Sequence, residues 1–164
     1  MTKHATFDSA HFRTVMAHLP TGVSIVTGHG ANGPSGLAVG SFMSVSLEPP
    51  LVAVSPALTS TSWPRIQATG QFCVNVLSEP QVNIARSFAV SGGDKFADLD
   101  WRKGPSGSPI LAGAVAWIDC AIESEQKAGD HWLVLGRVLE LDVGDANQPL
   151  IFHRGSFDRF RPVG

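Results

Sequence analysis

The sequence predicts a mainly β domain, a closed or nearly closed antiparallel barrel with short helices at its corners. Three observations predict it. Apolar and β-branched runs with strand-like patterning recur from Val23 to His153. Turns rich in Gly, Pro, Ser and Asn separate them. The helical segments are short and irregularly placed, which argues against the strand–helix alternation of a doubly wound parallel sheet.

The elements follow in order. Asp8 can cap a first helix, with Phe7 stapled onto Phe12 and with Phe12, Val15, Met16 and Leu19 at helical spacing. Pro20 and Gly22 stop it. Val23–Thr27 alternates like a strand, and residues 28–36, with four glycines and a proline, read as a turn. Residues 37–47 and 51–57 are β-rich and are separated by Glu48-Pro49-Pro50, where neither proline can donate to a ladder. A short helix begins near Trp63, with Pro64 in its first turn and Gly70 at its end. Residues 71–77 form a strand. Ser78 and Gln81 make a capping-box pair for a helix carrying Val82, Ala85, Phe88 and Ala89. Residues 91–112 read as a long loop, 113–125 and 131–143 as two longer strands, and 149–153 as a last one. The sum is about seven strands and three helices around one core. No internal repeat or low-complexity segment breaks residues 1–164, so the reading is a single domain.

The composition narrows the function. Apolar residues make up 43% and charged residues only 16% of the 164. So few charges fit either a surface partly covered by a second subunit or a large, well-buried β core. A net charge of −2 and the absence of any Lys/Arg cluster exclude a nucleic-acid partner on electrostatic grounds. No apolar stretch is long enough to span a membrane, and the first residues lack a signal-peptide pattern. Cys73 and Cys120 sit inside apolar alternation at no metal-binding spacing and read as buried reduced thiols, so the expected location is cytoplasmic. His4, His11, His18, His29 and His153 show no ligand spacing, and no metal site is expected.

Gly28-His29-Gly30-Ala31-Asn32-Gly33 matches the GxGxxG string of dinucleotide-binding folds. That motif needs a helix starting inside the glycines to hold the pyrophosphate. Pro34, Ser35 and Gly36 follow instead, and then strand-like residues, so the string reads as a hairpin turn.

Thr59-Ser60-Thr61-Ser62-Trp63-Pro64 is more informative. Four successive hydroxyls lead into a helix start, where free N–H groups and partial positive charge suit a phosphate. Ordinary capping by Ser60 or Ser62 would also explain them. Lys95 could close over such an anion or simply be a solvated loop lysine. Small residues at 36, 38, 40 and 41 would let a flat ring approach the backbone.

These segments resemble the flavin reductase domain family with the FMN-binding split-barrel fold, a Greek-key-like antiparallel barrel. The resemblance rests on Phe12-Arg13, Pro20–Val23, Gly36–Phe42, Ser44–Val52, Ser60–Trp63, Gly70–Leu77, Asp94-Lys95-Phe96, Gly129-Asp130-His131 and Gly136-Arg137-Val138. It is nearest to the reductase components of two-component flavin monooxygenases. It implies a homodimer that passes a hydride from NADH or NADPH to FMN or FAD and yields reduced flavin to a separate oxygenase. It places the flavin ring along Ala38, Val39, Gly40 and Ser41. Ser55, Pro56, Ser60, Thr61, Ser62 and Trp63 fall to the ribityl chain and phosphate, and Ser46, Lys95 and Phe96 join the same site. The nicotinamide falls near His131, Arg154, Gly155 and Phe157. Gly40 stands where the family often carries a side chain, which implies a roomier ring site, and Phe157 stands where it often has Tyr. Hydride transfer between two cofactors needs orientation more than proton transfer, so no general acid or base is assigned. A pyridoxamine-phosphate-oxidase-like FMN enzyme and a non-catalytic flavin- or haem-binding module of the same fold are the alternatives.

Overall fold

The computed structural model describes residues 7–146 and 148–164. Helix α1 (Ser9–Met16) starts as expected: Asp8 accepts from the His11 N–H at 2.7 Å, and Phe7 stacks on Phe12 at 6.0 Å. The strands are β1 (Thr21–Gly22), β2 (Ser24–Gly30), β3 (Gly33–Val39), β4 (Met43–Leu47), β5 (Pro50–Val54) and β6 (Gln71–Val76), then β7 (Trp101–Lys103), β8 (Pro109–Leu111), β9 (Ala116–Ala128), β10 (His131–Val143), β11 (Leu150–His153) and β12 (Ser156–Arg159). Helix α2 (Trp63–Gln67) precedes β6, and helix α3 (Val82–Ala89) follows a single 3-10 turn at Glu79–Gln81. Seven strands form one antiparallel sheet in the order β3-β2-β6-β9-β10-β5-β4. Its non-consecutive neighbours, β2 beside β6, β6 beside β9 and β5 beside β10, give the topology its Greek-key character. The two edge strands, β3 and β4, follow each other in the chain with only residues 40–42 between them, so the sheet is split at that point. A second sheet, β1-β11-β12, covers one end, and β7 and β8 form a separate hairpin.

Several expectations need correction. Residues 28–36 are mostly strand. Only Ala31 and Asn32 form the turn, with Gly33 at φ +89°. The other glycines serve close packing: a Cβ on Gly28 would lie 3.0 Å from Ile66 of α2, and one on Gly36 would lie 2.5 Å from Phe88 of α3. The β-rich stretch 37–47 is two strands belonging to opposite edges. The loop 91–112 contains the β7–β8 hairpin, held by buried polar side chains. Asn75 accepts from the Leu111 N–H at 2.8 Å, and Thr27 donates to the Pro109 carbonyl at 2.6 Å. Asp119 accepts from both the N–H and the hydroxyl of Ser106, at 2.7 and 2.6 Å. Strands β1 and β12 were not anticipated.

Two apolar clusters make the core. One fills the curled sheet around Trp63, Ile66, Phe72 and Val134. The other lies between the β3–β2–β6 end and α3, around Ile25, Leu77, Phe88 and Leu150. Cys73 and Cys120 are buried free thiols. Burial and the nearby Asp119 carboxylate push the Cys120 thiol up to about 12 and raise Cys73 as well, so both stay protonated and unreactive at working pH.

Helix α1 buries none of its residues. Phe12, Val15, Met16 and Leu19 are each about half exposed. Met43, Val45 and Leu47 of β4 are also exposed, as are Leu139, Leu141 and Val143 of β10. No helix among the described residues is long and apolar enough to cross a membrane. His4 lies outside the described residues.

Candidate functional site

The split between β3 and β4 opens into a cavity of about 380 Å³, within the size range of small-molecule sites. The end of β3 and the following turn supply Leu37, Ala38, Val39, Gly40 and Ser41. The segment leaving β5 supplies Ser55, Pro56, Ala57 and then Thr59–Ser62. The C-terminal end of α3 adds Phe88, Ala89, Val90 and Ser91, and Lys95 and His131 complete the wall.

Local hydrogen bonds set this geometry. The Ser55 N–H donates to Ser41 Oγ at 2.9 Å, which ties the turn after β3 to the end of β5. Ser55 Oγ donates to the Trp132 carbonyl at 2.6 Å, and the Trp132 N–H donates to the Pro56 carbonyl at 2.8 Å. Those two bonds, with the Ala57–His131 bridge, dock the start of β10 against the cavity. Ser60 Oγ accepts from the Trp63 N–H at 3.1 Å, so Ser60 closes the turn into α2. Ser62 is the N-cap residue but makes no side-chain capping bond. The hydroxyls of Thr59, Thr61 and Ser62 thus remain available to a ligand. Because α2 has only five residues, these hydroxyls and Lys95 matter more for an anion than any helix dipole.

Lys95 Nζ donates to the Phe88 carbonyl at 3.4 Å and lies 5.6 Å from the Phe88 ring centroid. Burial lowers its pKa, and no carboxylate among the described residues pairs with it. His131 Nδ1 is 2.7 Å from Asp130 Oδ1, which leaves Nε2 as the edge free for a ligand. That contact holds the Asp130 carboxyl below its usual range. No group of metal-ligating side chains occurs among the described residues.

The structure therefore gathers Ala38, Val39, Gly40, Ser41, Ser55, Pro56, Ser60, Thr61, Ser62, Lys95 and His131 around one cavity. It places the others elsewhere. Trp63 is wholly buried in the first core cluster, and Phe96 is buried edge-on to Phe88 and Trp101. Ser46 lies on β4, outside the lining. Arg154 (φ +51°) and Gly155 (φ +79°) form the β11–β12 turn, where the Arg154 N–H donates to the Ala17 carbonyl at 2.8 Å. Phe157 packs edge-on to Phe152 and lines a separate cleft. Gly40 does not enlarge the cavity: a Cβ there would point to Thr21 Oγ1 at 2.9 Å. The end of α3, Phe88–Ser91, was not anticipated as a wall. Its one sequence signal is Ser91, a hydroxyl two residues past the helix and four residues before Lys95.

The cavity fits a flavin nucleotide by the chemistry of its lining: free hydroxyls, a lysine, and the backbone and small side chains of residues 38–41. Comparison with known proteins agrees. The family model for the flavin reductase like domain matches residues 16–161. A flavin reductase of Pseudomonas putida is 49% identical over 160 residues, covering 97% of this chain and 94% of that protein. Nitrilotriacetate monooxygenase component B from Mycobacterium thermoresistibile superposes with a TM-score of 0.91 at 41% identity, covering 94% of this chain and 88% of that one. The NADH:FAD oxidoreductase of Streptomyces globisporus, solved with NAD and FAD fragments, gives 0.89 at 40% identity and covers 94% of each chain. With the split sheet, the cavity at its seam and these likenesses spanning nearly its whole length, the chain belongs to the flavin reductase-like domain family.

Proposed function

We propose that the chain is an NAD(P)H-dependent flavin reductase that hands its reduced flavin to a separate monooxygenase. The observation that carries this reading is the seam cavity, which combines free hydroxyls and a lysine with the backbone and small side chains of residues 38–41. When both are bound, the dihydronicotinamide supplies a hydride and the flavin accepts it, so the electron chemistry belongs to those two molecules. The chain's residues orient them. Ala38, Val39, Gly40 and Ser41 form the wall against which a flat ring lies, and the Ser41–Ser55 bond fixes that wall. Thr61, Ser62 and Lys95 bind the phosphate, and Ser60 holds their segment in shape. His131, steadied by Asp130, presents Nε2 to the nicotinamide side. Rate then depends on bringing donor and acceptor atoms to about 3–3.5 Å in a stacked pose.

The exposed apolar face of α1, together with those of β4 and β10, supports a homodimer. A helix with its apolar side in water gains its stability from a partner surface. Arg154, Gly155 and Phe157 do not line the cavity of their own subunit. Any nicotinamide role for them runs through that dimer.

Purified protein should oxidise NADH or NADPH only when FMN or FAD is added, and should sediment at twice 17.3 kDa. Turnover absent with all four donor–flavin pairs would refute the reductase reading. A concentration-independent monomer would refute the dimer.

A further inference from the structure

Residues 40–42 link β3 to β4 and belong to no strand. One contact that fixes this link is the bond from the Ser55 N–H to Ser41 Oγ at 2.9 Å. The other comes from β1. Gly40 lines the cavity through its backbone, and Thr21 does not line it. The place where a Cβ of residue 40 would stand is taken by Thr21. Its Oγ1 lies 2.9 Å from that place and its Cβ 3.7 Å, with the Gly22 carbonyl oxygen at 4.0 Å. Strand β1 is anchored independently of the wall. Thr21 and Gly22 pair with Phe152 and Ile151 of β11, and the Val23 N–H donates to the Leu150 carbonyl at 3.2 Å. A threonine fills two of the three staggered positions at Cβ and is restricted at χ1, so it yields less readily than a longer flexible chain.

From this contact we infer that Thr21 is a positioning residue for hydride transfer. It acts through Gly40, by fixing where the ring wall stands relative to β1 and so the pose in which the ring meets the nicotinamide. The inference rests on the reductase reading of the cavity. Residues 21 and 40 share one small volume, so each sets what the other can be. Removing Oγ1 leaves a gap beside Gly40. Adding a Cβ to Gly40 while Oγ1 stays pushes the wall out of place. Making both changes puts one methyl where one hydroxyl was, with the Cβ of residue 21 at an ordinary contact distance of 3.7 Å. Thr61, Ser62 and Lys95 lie on other segments, so the hold on the phosphate survives these changes while the pose of the ring does not. A shift of about 1 Å at the reacting atoms can slow a reaction about a hundredfold.

The test is steady-state and single-turnover kinetics on Thr21→Ala, Thr21→Ser, Gly40→Ala and the double variant Thr21→Ala with Gly40→Ala. The nicotinamide donor is the one the wild type uses, in ordinary and C4-deuterated forms. Gly40→Ala should lower kcat about tenfold and Thr21→Ala about threefold. Flavin KM should stay within about twofold of wild type in each. The isotope effect on kcat should rise toward that of the single-turnover step, because hydride transfer is what slows. The double variant should be faster than either single variant. Thr21→Ser, which keeps Oγ, should recover most of what Thr21→Ala loses. Melting temperatures serve as the folding control. Wild-type kcat in Gly40→Ala overturns the inference, as does a double variant no faster than Gly40→Ala. So does a loss confined to melting temperature or to flavin KM. If the wild type itself turns over no donor–flavin pair, the reductase reading falls as well.

Discussion

Replacing Gly136 with alanine should lower the melting temperature by about 5–10 °C, a loss of about 2–3 kcal/mol in a domain of this size. Gly136 lies in β10 where the register against β9 shifts. A Cβ there would lie 2.5 Å from Phe72 Cζ and 3.1 Å from Cys120 Cβ. Phe72 is wholly buried and edge-on to Trp63 at 6.2 Å, so its ring has no free direction in which to move. Interiors packed to crystal-like density yield little to an inserted methyl. The same substitution made together with Phe72→Leu should cost under about 1 kcal/mol relative to Phe72→Leu alone, because the two positions share one volume. Thermal melts at fixed protein concentration measure both. An unchanged melting temperature for Gly136→Ala would contradict this account of the core.

Lys95→Met should raise the KM for flavin about ten- to a hundredfold and change kcat by less than about threefold. A charge-assisted contact to phosphate contributes about 1.5–3 kcal/mol, and that range sets the factor. The lysine is assigned to the phosphate and not to the reacting ring, so its loss affects binding more than hydride transfer. The pH dependence follows from its burial. Its pKa lies below the ordinary 10.5. As pH rises through that lowered value the charge is lost, so flavin KM should climb at a pH below that of an ordinary lysine. Lys95→Arg should keep KM low to higher pH. Steady-state kinetics across pH separate the outcomes, and an unchanged KM in Lys95→Met would remove the lysine from the site.

Much of this was legible locally. The caps at Asp8 and Gln81 and strands β2, β6, β9 and β10 follow from short-range patterns. In the capping box the Ser78 N–H donates to Gln81 Oε1 at 3.0 Å, as the spacing implies. The hydroxyl run 59–62, singled out from the sequence, lies in the wall of the seam cavity. The β7–β8 hairpin was not legible. Its strands are ordered by Asn75, Thr27 and Asp119, which lie far away in sequence, and local propensity in a Pro- and Gly-rich stretch cannot register such bonds. The glycines misled for a related reason. A Cβ on Gly36 would meet Phe88 of the same chain, and Gly36 is not part of the cavity wall, whereas Gly40 lines the cavity through its backbone; a glycine in sequence does not say what approaches it. Trp63 and Phe96 were drawn toward the site by neighbours that do line it, while their own rings belong to the core.

The seam between β3 and β4 has one more consequence. An open sheet edge is normally a liability, because its unused N–H and C=O groups invite another strand. Here the outer rim of β3 borders the cavity, so whatever occupies the cavity also shields that rim. Occupancy should therefore slow amide hydrogen exchange along residues 37–41 and reduce self-association on storage. With the cavity empty the rim is unguarded, so the shelf life of the protein should depend on how much flavin is present.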